Sequence, residues 1–297
     1  MKLGLNLSFA TKRWLKPEHL ARLCAEVFRV SSVQFTFDLI DPWWPRLKRR
    51  ELAAAYREAF QSHGIEIASA FGGVASYTYA QLLAPTQEQR DISLAFWKRA
   101  VDLTAELGAK SIGTPIGGMS YEDWHDPAAT RALYLSAQEA LIELAAYARA
   151  KGLTEILIEA TPLPAEILCT PQAARQFVAE LDGKTAVPVR LLIDWGHALC
   201  VRVPKTSHDM AQWLAICAPY VGGIHLQQTD GLWDRHWDFT VDGMVTPALL
   251  REVAAQGGIE DVTQYLEVVT IFEDDDDDVL RRMTASMEHL HRVFDGA

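Results

Sequence analysis

Apolar and polar positions along this chain switch repeatedly between two periods. Short runs rich in apolar and β-branched residues alternate with longer stretches in which apolar side chains recur at helical intervals, the pattern of βαβ units around a parallel sheet. Strands are predicted at residues 3–7, 32–37, 65–70, 111–115, 155–159, 190–194, 222–226 and 264–268. Several are continuous apolar runs, as expected of strands covered on both faces. Between them, residues 16–28 read as a helix with Pro17 in its first turn. Residues 86–107 place Leu94, Trp97, Val101 and Thr104 at helical spacing and stop at Gly108, and residues 133–151 stop at Gly152. Thr170-Pro171 and Thr246-Pro247 each offer an N-cap followed by a proline suited to the first helical position. No Pro-, Ser- or Gly-rich linker and no internal repeat divides the series. The expected fold class is therefore α/β, a single (β/α)8 TIM barrel over residues 1–297, with a doubly wound sheet as the alternative.

Composition narrows the functional classes. The 297 residues are 49% hydrophobic and 23% charged, an ordinary globular balance that supports a large core. The net charge of -11 argues against a nucleic-acid partner, which needs a basic face. The N-terminal MKLGLNLSF is too short and too weakly basic for a signal peptide, and no stretch reaches the roughly 18 to 20 apolar residues of a membrane span, so a cytoplasmic location is expected. Cys24, Cys169, Cys200 and Cys217 form no CxxC pair and read as reduced thiols. The acidic run at 273–278, EDDDDD, reads as the solvated start of a final helix, with a calcium or partner site as the less ordinary use.

In such barrels, reactive side chains come from the C-terminal ends of the strands. EILIEATP ends its strand at Glu159, RLLIDWGHA at Asp194, GGIHLQQ reaches His225, and TQYLEVV reaches Glu267. Each lies about one strand-helix unit beyond the last, so four neighbouring strands deliver one polar group each. Singly, each has a structural explanation, such as a helix cap for Asp194 or a hydrogen-bonded core histidine for His225. Together they need a shared cation, because unpaired buried carboxylates are costly. Three carboxylates and one imidazole suit one divalent ion: Mn2+, Mg2+ or Co2+, with Zn2+ as a further option.

At these residues the chain resembles the xylose isomerase-like superfamily of sugar isomerases and epimerases, over essentially its whole length. The resemblance is carried by Glu159 in LIEATP, Asp194 and His197 in DWGHA, His225 in GIHLQQTDG and Glu267 in YLEVV. It implies that these four ligands hold one metal, that Glu159 and Glu267 move the proton, and that His197 contacts substrate. QFTFDLIDPWWP and HLQQTDGLWDRHWDF look most like the erythrulose-phosphate 3-epimerase and D-apiose isomerase members. The pattern departs from better-known ketose 3-epimerases in two places. Ala165, with Glu166 beside it, stands where those enzymes carry an acidic residue, and Gly231 stands where they carry arginine, a role that Arg235 is placed to take over.

The expected activity is aldose-ketose isomerisation or ketose 3-epimerisation of a short-chain sugar or sugar phosphate through an enediolate. A metal-dependent sugar dehydratase or aldolase-like lyase is the alternative, and an endonuclease IV-like repair enzyme is a more distant one, since it needs several metals, more histidines and a basic face. Further substrate-binding candidates are Arg235, His236, Gln227, Glu166, Trp14, Phe37 and Phe71, with Asn6, Gln34 and Asp38 as polar wall residues. His197 has a second reading as a support for Asp194, and Arg235 as an ion-pair partner of a nearby aspartate. Lys12, Arg13, Arg202, Lys205 and Arg235 are candidates to neutralise a phosphate. The lack of a Gly-rich phosphate cradle favours a free sugar. A homo-oligomer is compatible with this reading.

Overall fold

The computed structural model describes residues 2–202 and 208–294; Lys205 lies outside them. The strands β1 (Lys2–Asn6), β2 (Ser32–Thr36), β3 (Glu66–Phe71), β4 (Ser111–Thr114), β5 (Glu155–Ala160), β6 (Val189–Asp194), β7 (Val221–Leu226) and β8 (Thr263–Leu266) close into one parallel barrel in chain order. Closure is made by β1 beside β8, with Leu3 opposite Gln264 and Leu5 opposite Leu266. The sheet therefore has no edge, which rules out the doubly wound alternative.

Around it run α1 (Pro17–Arg22), α2 (Arg46–Ser62), α3 (Gly73–Ser76), α4 (Gln87–Glu106), α5 (Tyr121–His125), α6 (Pro127–Ala150), α7 (Pro171–Leu181), α8 (Trp195–Ala198), α9 (Met210–Cys217), α10 (Pro247–Ala255) and α11 (Asp276–Phe294). No helix among the described residues is long and apolar enough to cross a membrane. Thr170 and Thr246 cap α7 and α10 through the backbone N–H groups of Ala173 and Leu249. Thr86 and Gln89 cap α4 reciprocally.

Two helices differ from their predicted spans for local reasons. After Arg22, α1 widens into a π turn at Leu23–Val27, where Phe28 N–H reaches Leu23 O at 3.0 Å. The wider turn keeps Leu23, Cys24 and Phe28 all buried. Helix α6 begins at Pro127 rather than near residue 133, because Asp126 caps it through Ala128 N–H. Its first turns are largely exposed, so no apolar period marks them. The acidic run starts α11 as expected: Asp275 accepts from Asp278 N–H, and Arg282 pairs with Asp274 at 2.6 Å and Asp278 at 3.1 Å.

One glycine position shapes the barrel interior under the site. A Cβ at Gly222 would come within 2.6 Å of Leu157, so the Gly222-Gly223 pair of β7 leaves room for that side chain. Leu157, Phe71 and Leu192 form a small apolar cluster of their own, and the Phe71 ring meets the His225 ring edge-on at 4.7 Å. This cluster is an apolar support against which the polar groups of the mouth rest.

Candidate functional site

Parallel register brings the polar groups to one level. Asp194 at the end of β6 lies opposite His225 on β7, and His225 lies opposite Tyr265, two residues before Glu267. Glu267 N–H continues the ladder to Leu226 O at 2.9 Å. Glu159 is the penultimate residue of β5. Glu159, Asp194, His225 and Glu267 are all buried, and one donor atom from each lies within 4.8 Å of the others.

Hydrogen bonds around the four fix which atoms face inward. His225 Nε2 lies 2.6 Å from Gln34 Oε1, which also accepts from Asn6 Nδ2 at 2.7 Å, while Gln34 Nε2 donates to Ser69 Oγ at 3.1 Å. The Gln34 amide is thus oriented, its oxygen can only accept, and the Nε2 proton of His225 belongs to it. Nδ1 therefore faces the cluster, 2.8 Å from Glu267 Oε2 and 3.4 Å from Glu159 Oε1. None of these three atoms has a hydrogen bond of acceptable geometry. Their separations bracket the roughly 3.3 Å edge of a tetrahedron with bonds of about 2.0 to 2.1 Å, so a cation held in common satisfies all three better than a proton shared by two. The residues present fit a divalent ion.

The remaining oxygens are braced. Asp194 Oδ1 accepts from the backbone N–H groups of Gly196 at 2.6 Å and His197 at 3.1 Å. The capping use that the sequence allowed for Asp194 and its place in the cluster thus coexist. Asn6 Nδ2 holds Glu267 Oε1 at 3.1 Å, and the Tyr77 hydroxyl donates to Glu159 Oε2. Burial, followed by the charges of Glu159 and Glu267, keeps the Tyr77 phenol well above its ordinary pKa, so it stays a donor.

Electrostatics shows the same demand for positive charge. Burial lowers the pKa of His225, but Glu267 and Glu159 outweigh it and push the imidazole up to about 10. Burial raises Glu159 against the pull of His225 and His197. Glu267 is held below its usual range because His225 and His236 outweigh its burial.

Other candidates take varied places. His197 and His236 join the mouth, where Asp234 Oδ1 lies 3.1 Å from His197 Nε2 and 3.0 Å from His236 Nε2. Gln227 is committed to protein partners. Its Nε2 lies 3.0 Å from both oxygens of Asp194 and from Asp234 Oδ1, and its carbonyl oxygen accepts from His236 N–H. Glu166 is buried beside the Thr161 hydroxyl, which donates to it, and burial raises its carboxyl. Phe71 touches His225. Arg235 pairs with Asp230 through two nitrogens, at 3.1 and 2.7 Å, and lies over the Trp237 ring, the ion-pair use the sequence left open. Trp14 packs against Phe9 at 5.6 Å, and Phe37 lines a cavity of about 610 Å³ together with Asp38, Trp43, Trp44, Tyr79 and Phe96. That cavity includes none of the four clustered residues.

Of the phosphate candidates, Arg13 is engaged by Asp276 and by Ile271 O, Lys12 lies over Phe272, and Arg202 lies over Trp233. Sequence reasoning missed Tyr77, which lies in the β3 loop GGVASYTYA and carries no charge to draw notice. It also treated Asp234 only as an ion-pair partner, although the Asp234-Arg235-His236 spacing after β7 was a usable signal.

A family model described as xylose isomerase-like TIM barrel matches residues 17–283. The chain belongs to that family. Among relatives of the xylose isomerase-like barrel, the D-erythrulose 1-phosphate 3-epimerase of Brucella abortus is 26% identical over 278 residues, covering 90% of this chain and 88% of its own. A solved protein from Rhodospirillum rubrum, provisionally described as a xylose isomerase, is 44% identical with a TM-score of 0.96, covering 98% of this chain and 99% of that one. The D-psicose 3-epimerase of Clostridium cellulolyticum, solved with D-tagatose, is 16% identical with a TM-score of 0.73 and covers 99% of both chains. At that identity the likeness concerns the fold.

Proposed function

We propose that this chain is a divalent-metal-dependent sugar isomerase or 3-epimerase, with residues 1–297 acting as one catalytic unit. The observation that carries the reading is the convergence of Glu159, Asp194, His225 and Glu267 on one point at the barrel mouth, with three of their buried donor atoms lacking hydrogen bonds. A bound divalent ion would polarise a sugar carbonyl and offset the negative charge that develops on it. Glu159 and Glu267 flank His225 from the second and first strands on either side of it. Each can take or return a proton next to that carbonyl from its own side.

Tyr77 and Asn6 keep one oxygen of each glutamate fixed, which limits the geometry in which a proton can be exchanged. The Brucella relative supports C3 of a four-carbon ketose, free or phosphorylated, as the first position to test.

The test is a panel of tetroses, pentoses and their phosphates with Mn2+, Mg2+ and Co2+ in deuterated water, read by NMR. The expected result is carbon-bound deuterium in a product of conserved skeleton. Loss of water or appearance of two fragments would establish a lyase instead, and no exchange from the metal-loaded chain on any member would refute the reading.

A further inference from the structure

The β2 loop FDLIDPWWP and the segment after β3 line a cavity that the proposed chemistry leaves unused. In the β2 loop, Asp41-Pro42-Trp43-Trp44 forms a turn, with Trp44 N–H reaching Asp41 O at 3.0 Å and Trp43 N–H reaching Asp41 Oδ1 at 2.8 Å. Proline suits the second position of such a turn, and the aspartate side chain closes it a second time. The turn sets two adjacent indoles on the cavity wall, each 43% exposed, so neither ring is spent on the core.

A second wall is α3 and the residues after it, and that segment is anchored at several points. Asp38 accepts from Val74 N–H at 2.8 Å and from Ala75 N–H at 3.4 Å, and the Tyr77 hydroxyl donates to Glu159. Gln81 donates to Ser76 O at 2.9 Å and accepts from the Trp97 indole at 3.1 Å. The cavity of about 610 Å³ is therefore pre-formed, and its size is that of a small-molecule site.

The lining decides what class of molecule fits. Phe37, Trp43, Trp44, Tyr79 and Phe96 give it aromatic surface, and among the described residues its charged side chains are the carboxylates of Asp38 and Asp41, with no lysine, arginine or histidine. Its serine hydroxyls are committed, Ser76 to Gly72 O at 2.6 Å and Ser93 to Gln89 O at 2.9 Å. A sugar would find few donors for its many oxygens, and an anion would face two carboxylates. A cation carried on an apolar or aromatic body suits both features, since ring faces and carboxylates each attract positive charge. The Trp43 ring already serves in this way, with the Arg99 guanidinium 4.7 Å from its centroid. Burial raises the Asp38 carboxyl against the bonds from Val74, Ala75 and Thr36, so positive charge beside it is favourable.

We propose that this cavity binds a small organic cation of the aryl- or alkylammonium class, apart from the residues clustered at the barrel mouth. The inference concerns binding alone and stands whether or not the mouth holds a metal or the chain acts on a sugar.

The test is calorimetric titration of the full chain with benzyltrimethylammonium, benzyl alcohol and phenylacetate, each with and without excess Mn2+. One benzyltrimethylammonium per chain is expected, bound about tenfold more tightly than benzyl alcohol, with phenylacetate weaker than either and Mn2+ without effect. Asp41→Asn keeps the Oδ1 acceptor for Trp43 N–H and removes only the charge, so it should weaken the cation about three- to fivefold and leave benzyl alcohol unchanged. Trp44→Ala should weaken both. An unchanged urea-unfolding transition confirms that each variant folds.

No saturation of the unaltered chain by about 10 mM benzyltrimethylammonium, equal binding of the three probes, or displacement by Mn2+ overturns the proposal, and none of these measurements needs a variant. Undiminished cation binding in both Asp41→Asn and Trp44→Ala would place the cation elsewhere. A change from dimer to monomer on Trp44→Ala, seen by sedimentation velocity, would give the wall to a second copy of this chain. Either result also overturns it.

Discussion

Gln34 makes no contact with the proposed ion, yet the geometry of the mouth depends on it. Its side-chain oxygen accepts from His225 Nε2 at 2.6 Å and from Asn6 Nδ2 at 2.7 Å, and its nitrogen donates to Ser69 at 3.1 Å. Gln34→Leu keeps similar bulk and removes the acceptor. His225 is then free to place its proton on Nδ1, opposite Glu267, where it opposes ion binding.

Loss of such a supporting group typically costs 10- to 100-fold in metal affinity, or about 1.4 to 2.8 kcal/mol. The ion-free chain also loses the acceptor for a fully buried imidazole N–H, at about 1 to 3 kcal/mol. Chelator-competition titration with Mn2+ measures the first effect and urea unfolding of the stripped chain the second. Gln34→Glu, which restores an acceptor, should recover affinity relative to Gln34→Leu. An Mn2+ dissociation constant for Gln34→Leu within threefold of the parent would refute the argument that Gln34 sets the His225 tautomer.

Glu159→Gln and Glu267→Gln should each lower turnover by about 10²- to 10⁴-fold and suppress deuterium incorporation; near-normal rates with metal bound would remove the proton-transfer roles. Tyr77→Phe removes the donor to Glu159 Oε2 and should reduce kcat about tenfold, the equivalent of about 1.4 kcal/mol, with Mn2+ affinity little changed; a pure KM effect would place Tyr77 in substrate binding instead. Metal binding must displace the proton that Glu267 and Glu159 hold on His225 up to about pH 10, so apparent affinity should rise with pH below that value, by up to tenfold per unit for one displaced proton. Calorimetry in buffers of different ionisation enthalpy should show that proton released, and pH-independent affinity would contradict the assignment. Arg49 is 2% exposed and pairs with both oxygens of Glu106 at 2.9 Å, so Arg49→Ala should destabilise the fold by about 3 kcal/mol in urea unfolding; a loss below about 1 kcal/mol would show that Glu106 rehydrates.

The strands were legible because burial on both faces forces continuous apolar runs, and the four clustered residues at the mouth because each interrupts or ends such a run. Thr170 and Thr246 were legible as caps because their chemistry is local. The start of α6 was not, since its opening turns face solvent and carry no apolar period. Arg235 and Trp14 show a different limit. Their residue types suit a sugar site, but the choice between ligand and protein partner depends on Asp230 and Phe9, and only the fold reveals those distances. Tyr77 reaches Glu159 from a loop 82 positions earlier in the chain, a relation with no local sequence signature.

The bond from Asn6 to Glu267 has a further meaning for assembly. It joins the first strand to the end of the last across the seam where the barrel closes, and the same Asn6 also contacts Gln34. A one-residue slip of β8 against β1 would turn Glu267 to the opposite face and empty one corner of the ligand set. An ion bound at this cluster would therefore discriminate between correctly sealed and misaligned chains, and a divalent metal supplied during refolding should act as a selector of register at the final joint.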